Sequence, residues 1–389
     1  MTFDLTPDQR ELQQAARKFA RAELPELARR LEREDAPVPA DVLRRYGELG
    51  FLGINLPEEY GGLGLGHLAA LAVLEEFAQI SVAVAFPVFE ALTGPVRTIE
   101  RFGSAELKAQ IIPQVVRGEK IVAVAMSEPD AGTALTDLAT TARADGEHYV
   151  LNGTKRWSSG AGHSDYYITY CRFDGIEGAR GIGAVVVPKD ADGVGFGKRE
   201  ELMGFRGIPS ADIVLEDVRV PKGNLIIGAG GFGKLMSAFG LERCGNATMG
   251  LGVAAAALEE ALAYTQEREA FGKPIVDFQA VQLKLAEMAM KVEAARMLVW
   301  RAAAHADAQP DGLPTQYESS LAKCFSNEMV REVTSLGVQV MGGYGYSKEY
   351  AMEQRLRDGF AWGIAGGSID VQKTNIAASL VGRRFDQRR

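Results

Sequence analysis

Glu90 stands out by its surroundings, in Phe86-Pro87-Val88-Phe89-Glu90-Ala91-Leu92. A carboxylate in so apolar a run is paired or functional, because an isolated buried charge is costly. A paired structural glutamate is the plainer reading; a functional carboxylate is the other. Arg268 offers a planar fork that matches phosphate oxygens, and Gly342-Gly343 lets backbone approach a ligand closely. The ordinary alternatives are a solvated helix end and a helix stop. Gly228-Ala229-Gly230-Gly231-Phe232-Gly233 fits G-x-G-x-x-G. A dinucleotide fingerprint also needs a strand before it, a helix after it and an acid about 20 residues on. The region near Val253 is alanine-rich, so the plain reading is a loop entering the next helix. The four histidines lack HExxH-type spacing, and Cys171, Cys244 and Cys324 form no CxxC. Neither a metal site nor a disulfide framework is expected.

Three blocks of elements must position these residues. The 389 residues are 47% apolar and 24% charged, which excludes disorder for the bulk of the chain. A net charge of −8 lacks the basic footprint of a nucleic-acid binder. No run approaches the ~18 apolar residues of a membrane span. The amphipathic start is unlike a signal peptide, and a cytoplasmic location is expected. Thr6-Pro7-Asp8-Gln9 reads as a capping box with proline at the first helical position. Helices follow over about 41–49, 67–79 and 86–102, the last two buried. β-rich runs at 121–125, 149–155, 166–173, 183–188 and 213–220 predict a small antiparallel sheet, with Asn152-Gly153 as a hairpin turn. Periodic segments at 235–266, 278–308 and 317–341 return to helix. Helices, strands, then helices argue against a βαβ sheet. The expected architecture is α+β and multidomain: an N-terminal α-helical domain (1–122), a middle β-sheet domain (123–230) and a C-terminal α-helical bundle domain (231–389).

Four segments carry a family signal. Met126-Ser127-Glu128-Pro129-Asp130-Ala131-Gly132-Thr133 resembles a TEPGAGS loop. Asn152-Gly153-Thr154-Lys155-Arg156-Trp157-Ser158-Ser159-Gly160 resembles NGxKxWITN. Arg268-Glu269-Ala270-Phe271-Gly272-Lys273-Pro274, with Phe278-Gln279-Ala280, resembles RxxFGKxxxxxQ. Gln339-Val340-Met341-Gly342-Gly343-Tyr344-Gly345 resembles QxxGGxG. In this order, across nearly the whole chain, they resemble the FAD-dependent acyl-CoA dehydrogenase family, whose helix–sheet–four-helix-bundle fold agrees with the order of elements above.

The resemblance implies roles. Met126, Ser127, Gly132, Thr133, Trp157, Ser158 and Ser159 would bind FAD, the serine hydroxyls near the ring and Trp157 packed on it. A sheet-core aromatic is the plain alternative for Trp157. Arg268, Phe271, Gln279, Gln339, Gly342 and Gly343 would serve the flavin of a neighbouring subunit, which implies a homo-oligomer, usually a tetramer. Asp130 and Ala134 depart from the family loop. The family's commoner base, a glutamate near the C-terminus, is replaced by Ala365 in Gly363-Ile364-Ala365-Gly366-Gly367-Ser368-Ile369. The Ala365 N–H would still donate to the thioester carbonyl with Gly366 beside it; Gly367 and Ile369 replace flavin-bonding residues. A minority of the family carry the base on a helix, where Glu242 of Phe239-Gly240-Leu241-Glu242-Arg243 stands. Glu242 would be the base and Arg243 a substrate-binding neighbour; a plain helix ion pair is the alternative. Glu90 would border the acyl pocket, there to bind a polar acyl group or to act as base in an unusual elimination. The implied reaction is α,β-dehydrogenation of an acyl-CoA, with electrons passing to an electron-transfer flavoprotein. A flavin oxidase or monooxygenase of the same fold, an acyl-carrier-protein substrate, and a binding-only flavoprotein are the alternatives.

Overall fold

The computed structural model describes residues 4–385. Seven helices come first: α1 (Pro7–Glu23), α2 (Pro25–Glu34), α3 (Ala40–Glu48), α4 (Gly66–Ile80), α5 (Val82–Leu92), α6 (Pro95–Phe102) and α7 (Ala105–Val116). Eight strands follow: β1 (Val122–Ala125), β2 (Thr141–Asp145), β3 (His148–Ser159), β4 (Tyr166–Phe173), β5 (Ile182–Pro188), β6 (Val194–Phe196), β7 (Ser210–Pro221) and β8 (Leu225–Ile227). Helix α8 (Phe232–Glu267), the two-stranded ribbon β9 (Glu269–Ala270) and β10 (Lys273–Pro274), and α9 (Gln279–Ala308), α10 (Gln316–Met341), α11 (Gly343–Tyr346), α12 (Met352–Trp362) and α13 (Ile369–Val381) complete the chain. The expected helix–sheet–helix order is the observed one.

Local chemistry sets the ends. Thr6 caps α1: its hydroxyl accepts from the Gln9 N–H while the Gln9 side chain accepts from the Thr6 N–H. Thr315 and Glu318 repeat that box at α10. Such a cap contributes about 1 kcal/mol. The expected helix over 86–102 is two helices, because Gly94-Pro95 breaks it. The apolar stretch Val82–Phe102 has the length and hydropathy of a membrane span but is 78% buried within the protein. Neither α5 nor α6 alone reaches the ~20 residues that a bilayer requires.

The sheet runs β6-β7-β3-β2-β4-β5-β8, with β1 also on β4. It is mixed rather than antiparallel, since β1 and β2 both pair β4 in parallel. The hairpin at Asn152-Gly153 is not formed: β3 runs straight through it, and the turn lies at Gly146-Glu147, between Asp145 and its partner His148. Gly153 marks a bulge against β7. Its φ is +149°, and a Cβ there would sit 2.4 Å from Thr140 Oγ1.

Helix α8 is the axis of the C-terminal half, buried against α4, α10, α9 and α12. Glycine permits its closest approach to α5: a Cβ at Gly245 would lie 2.1 Å from Thr93 Oγ1. Two buried carboxylates of α4 are paired across the helical layers, Glu76 with Arg17 and Glu75 with Arg296. The fingerprint-like glycines do lie between a strand and a helix, but β8 is an edge strand antiparallel to β5, so no βαβ unit exists there.

Candidate active site

Glu242 and Arg243 lie on α8, Lys323 and Asn327 face them from α10, and the segment 362–367 closes one side. Asn327 Nδ2 donates to Trp362 O (2.7 Å) and to Asn246 Oδ1 (2.8 Å). Lys323 Nζ donates to Ala365 O (2.5 Å) and Trp362 O (3.3 Å). Gln372, held by Ser320, donates to Gly367 O. Backbone carbonyls that no longer belong to α12 are thus satisfied by buried side chains, as a helix end requires. This fixing set escaped the sequence reading, because its only signal is three-dimensional.

Glu242 forms no ion pair and no hydrogen bond among the described residues, so the plain helix ion pair with Arg243 is absent. Burial raises its carboxyl to about 8, countered in part by the charges of Lys323 and Arg243. Burial lowers Lys323 to about 7, helped by Arg243. Arg243 is 9% exposed, its Nε has no partner, and its guanidinium lies 5.6 Å from the Phe239 ring centroid. Tyr170 on β4 lies within electrostatic reach of both residues. The arrangement is a carboxylate in an apolar wall with a cation beside it, which suits proton abstraction near neutral pH. The Ala365 N–H is not free for a substrate carbonyl: it donates to Ala361 O at 2.9 Å, continuing the helical turn. The neighbouring Gly366 N–H makes no backbone hydrogen bond among the described residues.

Two further groups of residues are brought together elsewhere. In the first, Glu128 holds the 126–134 loop. Its carboxylate accepts from the Ala139 and Thr140 N–H groups and from Lys155 Nζ (2.7 Å), which also reaches Met126 O (3.2 Å). Burial pushes Glu128 up, but Lys155 and these donors outweigh it and hold it low. Asp130 sits at a turn closed by the Glu128–Ala131 pair, with no left-handed residue in it. A second β3 bulge, between Lys155 and Ser158, puts Trp157 at φ +60°. Bulges re-aim side chains, and Trp157 is 54% exposed with Arg156 4.2 Å from its ring centroid. It is therefore not a sheet-core aromatic. Ser158 is buried with an unpartnered Oγ. Ser127 and Ser159 are half-buried, while Gly132, Thr133 and Ala134 are exposed.

In the second group, Arg268, Gly342 and Gly343 line a cleft of about 530 Å³ with Tyr264 and Tyr344. Arg268 forms no ion pair among the described residues, and a Cβ at Gly342 or Gly343 would meet nothing within 4 Å. Phe271 is 96% exposed on the β9–β10 ribbon, and Gln279 and Gln339 are exposed. An open cleft with an unpaired guanidinium, and an exposed indole beside an orphaned serine hydroxyl, fit the phosphate and ring ends of a flavin dinucleotide.

Fold and site together define a helical, sheet-inserted oxidoreductase. Residues 6–119, 123–218 and 229–381 match the N-terminal, middle and C-terminal domains of acyl-CoA dehydrogenases. The chain belongs to the acyl-CoA dehydrogenase family. It is 36% identical to the 3-(aryl)acrylate reductase of Clostridium sporogenes, over 96% of this chain and 99% of that protein. It is also 36% identical to the mitochondrial short-chain specific acyl-CoA dehydrogenase of Bos taurus, over 98% and 92%. Among solved structures, a glutaryl-coenzyme A dehydrogenase–glutaryl-CoA complex superposes with a TM-score of 0.95 at 34% identity, covering 99% of this chain and 98% of that one. An FAD complex of PigA gives 0.91 at 26%, covering 98% and 99%.

Proposed function

We propose that this protein dehydrogenates an acyl-CoA thioester to the α,β-enoyl-CoA, with Glu242 as the base. The unpaired, half-buried Glu242 beside Arg243 carries the reading. The cofactor is FAD, which when bound supplies a two-electron acceptor for the β-hydrogen. The α-proton goes to the Glu242 carboxylate, the β-hydrogen leaves as hydride, and the Cα–Cβ double bond forms. The Arg243 charge favours the ionised form of that carboxylate. Lys323, Asn246 and Asn327 hold the 362–366 segment so that the Gly366 N–H, rather than that of Ala365, serves the thioester carbonyl. Donors aimed at a developing enolate act as in an oxyanion hole. An electron-transfer flavoprotein as electron acceptor, a homotetramer and a cytoplasmic location belong to the same proposal.

The test is anaerobic stopped-flow of the FAD-loaded protein with straight, branched, cyclic and aromatic acyl-CoAs, read as loss of flavin absorbance. One class is expected to bleach it. Glu242→Gln should keep FAD and thioester binding but slow bleaching by roughly 10²–10⁴, the range of a general base. Bleaching at the wild-type rate would remove Glu242 from the role.

A further inference from the structure

The proposed reaction leaves Glu90 without a task. It is 6% exposed on α5, among Phe86, Val88, Phe89 and Leu92. Its Oε2 has no hydrogen-bond partner, and no cation pairs with it among the described residues. The expected structural pair is therefore absent. A buried polar group left unsatisfied needs a partner from outside the fold.

Its position says what that partner is attached to. Helices α5 and α8 touch at Gly245, where a Cβ would lie 2.1 Å from Thr93 Oγ1 and 3.0 Å from Phe89 Cδ2. Glu90 lies one turn before Thr93, and Glu242 one turn before Gly245. The Phe89 ring packs 5.9 Å from Trp362, whose carbonyl Lys323 and Asn327 hold. Tyr167 on β4 also feels the Glu90 charge. Glu90 thus stands between the helix of the base and the sheet. An acyl chain with its α-carbon at Glu242 has Glu90 within reach. A crevice of about 10 Å³ beside it, between Leu43, Leu52, Pro87 and Val122, has room for one water at most. Such a water needs two to four polar partners, and besides Glu90 the one charged side chain on these walls is Lys120, whose Nζ is paired with Asp165 at 2.8 Å.

Burial, and then the charge on Glu242, hold the Glu90 carboxyl well above the ordinary carboxylate range. In that state it is one O–H donor and one carbonyl acceptor. A hydroxyl satisfies both atoms and a ketone the first, and neither brings a second desolvated charge into the pocket.

We propose that Glu90 is a specificity-determining residue that binds a neutral oxygen function, a hydroxyl or a keto group, carried on the acyl chain beyond the β-carbon. This rests on the reading of the protein as an acyl-thioester dehydrogenase with Glu242 as base. Sites built to hydrogen-bond a substrate group reject the analogue that lacks it far more strongly than apolar pockets reject a missing methylene.

The test uses S-alkyl-CoA thioethers, which have a methylene in place of the carbonyl and so do not turn over. Methyl-, hydroxyl-, keto- and ammonium-bearing chains of graded length are titrated calorimetrically into the FAD-loaded protein. At one length the hydroxyl or keto analogue should bind at least about tenfold tighter than its methyl isostere. Glu90→Gln should keep that preference, and Glu90→Leu should invert it. If Glu90→Leu does not fold, the wild-type ratio decides alone. Equal or tighter binding of the methyl analogue at every length would overturn the proposal, as would tightest binding of the ammonium analogue. If no thioether binds at all, the thioester reading itself fails and takes this inference with it.

Discussion

Glu242 gives a pH dependence whose sign can be worked out. As the base it must be ionised, so kcat/KM for the proposed dehydrogenation should rise with pH through about 8. A pH–rate profile that is flat from pH 6 to 9 would contradict the assignment. Stability runs the other way. A carboxyl at about 8 in the folded chain, against an ordinary value of 4.5, binds more protons when folded, so its contribution falls as pH rises between those values. Lys323, at about 7 against 10.5, is charged in both states at pH 5 and half discharged in the folded chain at pH 7, a smaller effect of opposite sign. Asp358, raised to about 7 by burial, acts in the same direction as Glu242 but cancels when two variants are compared at one pH. Glu242→Gln should therefore gain stability over wild type, by roughly 2–3 kcal/mol more at pH 7 than at pH 5. Denaturant melts at the two pH values measure it; an equal gain at both would mean that the carboxyl is not raised.

At the scale of elements, the β3 strand and its buried lysine set the 126–134 loop. Lys155 is fully buried and Glu128 nearly so, and removing one partner strands the other charge. Such breaks cost about 3–5 kcal/mol. Lys155→Met should lose that much stability in chemical denaturation and should release FAD more readily. Lys155→Met with Glu128→Gln should recover part of the stability. A single variant as stable as wild type would mean that the pair contributes little. Much of this element level was legible in the sequence where the signal is local. Thr6 and Thr315 mark helix starts by side chains that reach three residues on, and the long helices keep a period that few breakers interrupt. Asn152-Gly153 misled because a turn signal and a bulge share a residue type: Gly153 is needed for the close approach to Thr140, not to reverse the chain. The site was legible as motifs. Its supports were not, because Asn246, Lys323, Asn327 and the Glu128–Lys155 pair meet only after helices and strands have packed. Glu90 was visible as an anomaly, and only the packed structure shows that no partner was provided.

At the scale of the whole molecule, a single copy leaves much apolar surface uncovered on one side. Leu283, Met290 and Met297 recur every seventh residue on α9 and are 65%, 73% and 43% exposed. Residues at that spacing share one helix face. Phe271 stands 96% exposed on the β9–β10 ribbon before α9, and Tyr346 82% exposed at the end of α11. Apolar side chains gathered in this way mark a surface that another chain covers. Each such side chain contributes roughly 1.5–3 kcal/mol when buried. The unpaired Arg268 and the open Gly342-Gly343 cleft lie in the same half of the chain, while the Trp157 group lies on the sheet. If the cleft completes a neighbour's flavin site, as the resemblance implies, then assembly and cofactor retention are one property. Met290→Glu places a charge in the covered face and should shift the protein to smaller species in sedimentation velocity. The same fractions should lose FAD absorbance, although residues 126–134 and 157–159 are untouched. Arg268→Ala should lose FAD without dissociating, since it removes the guanidinium and leaves the α9 face intact. A Met290→Glu species that sediments as a monomer and keeps its full complement of FAD would show that each chain holds its flavin alone.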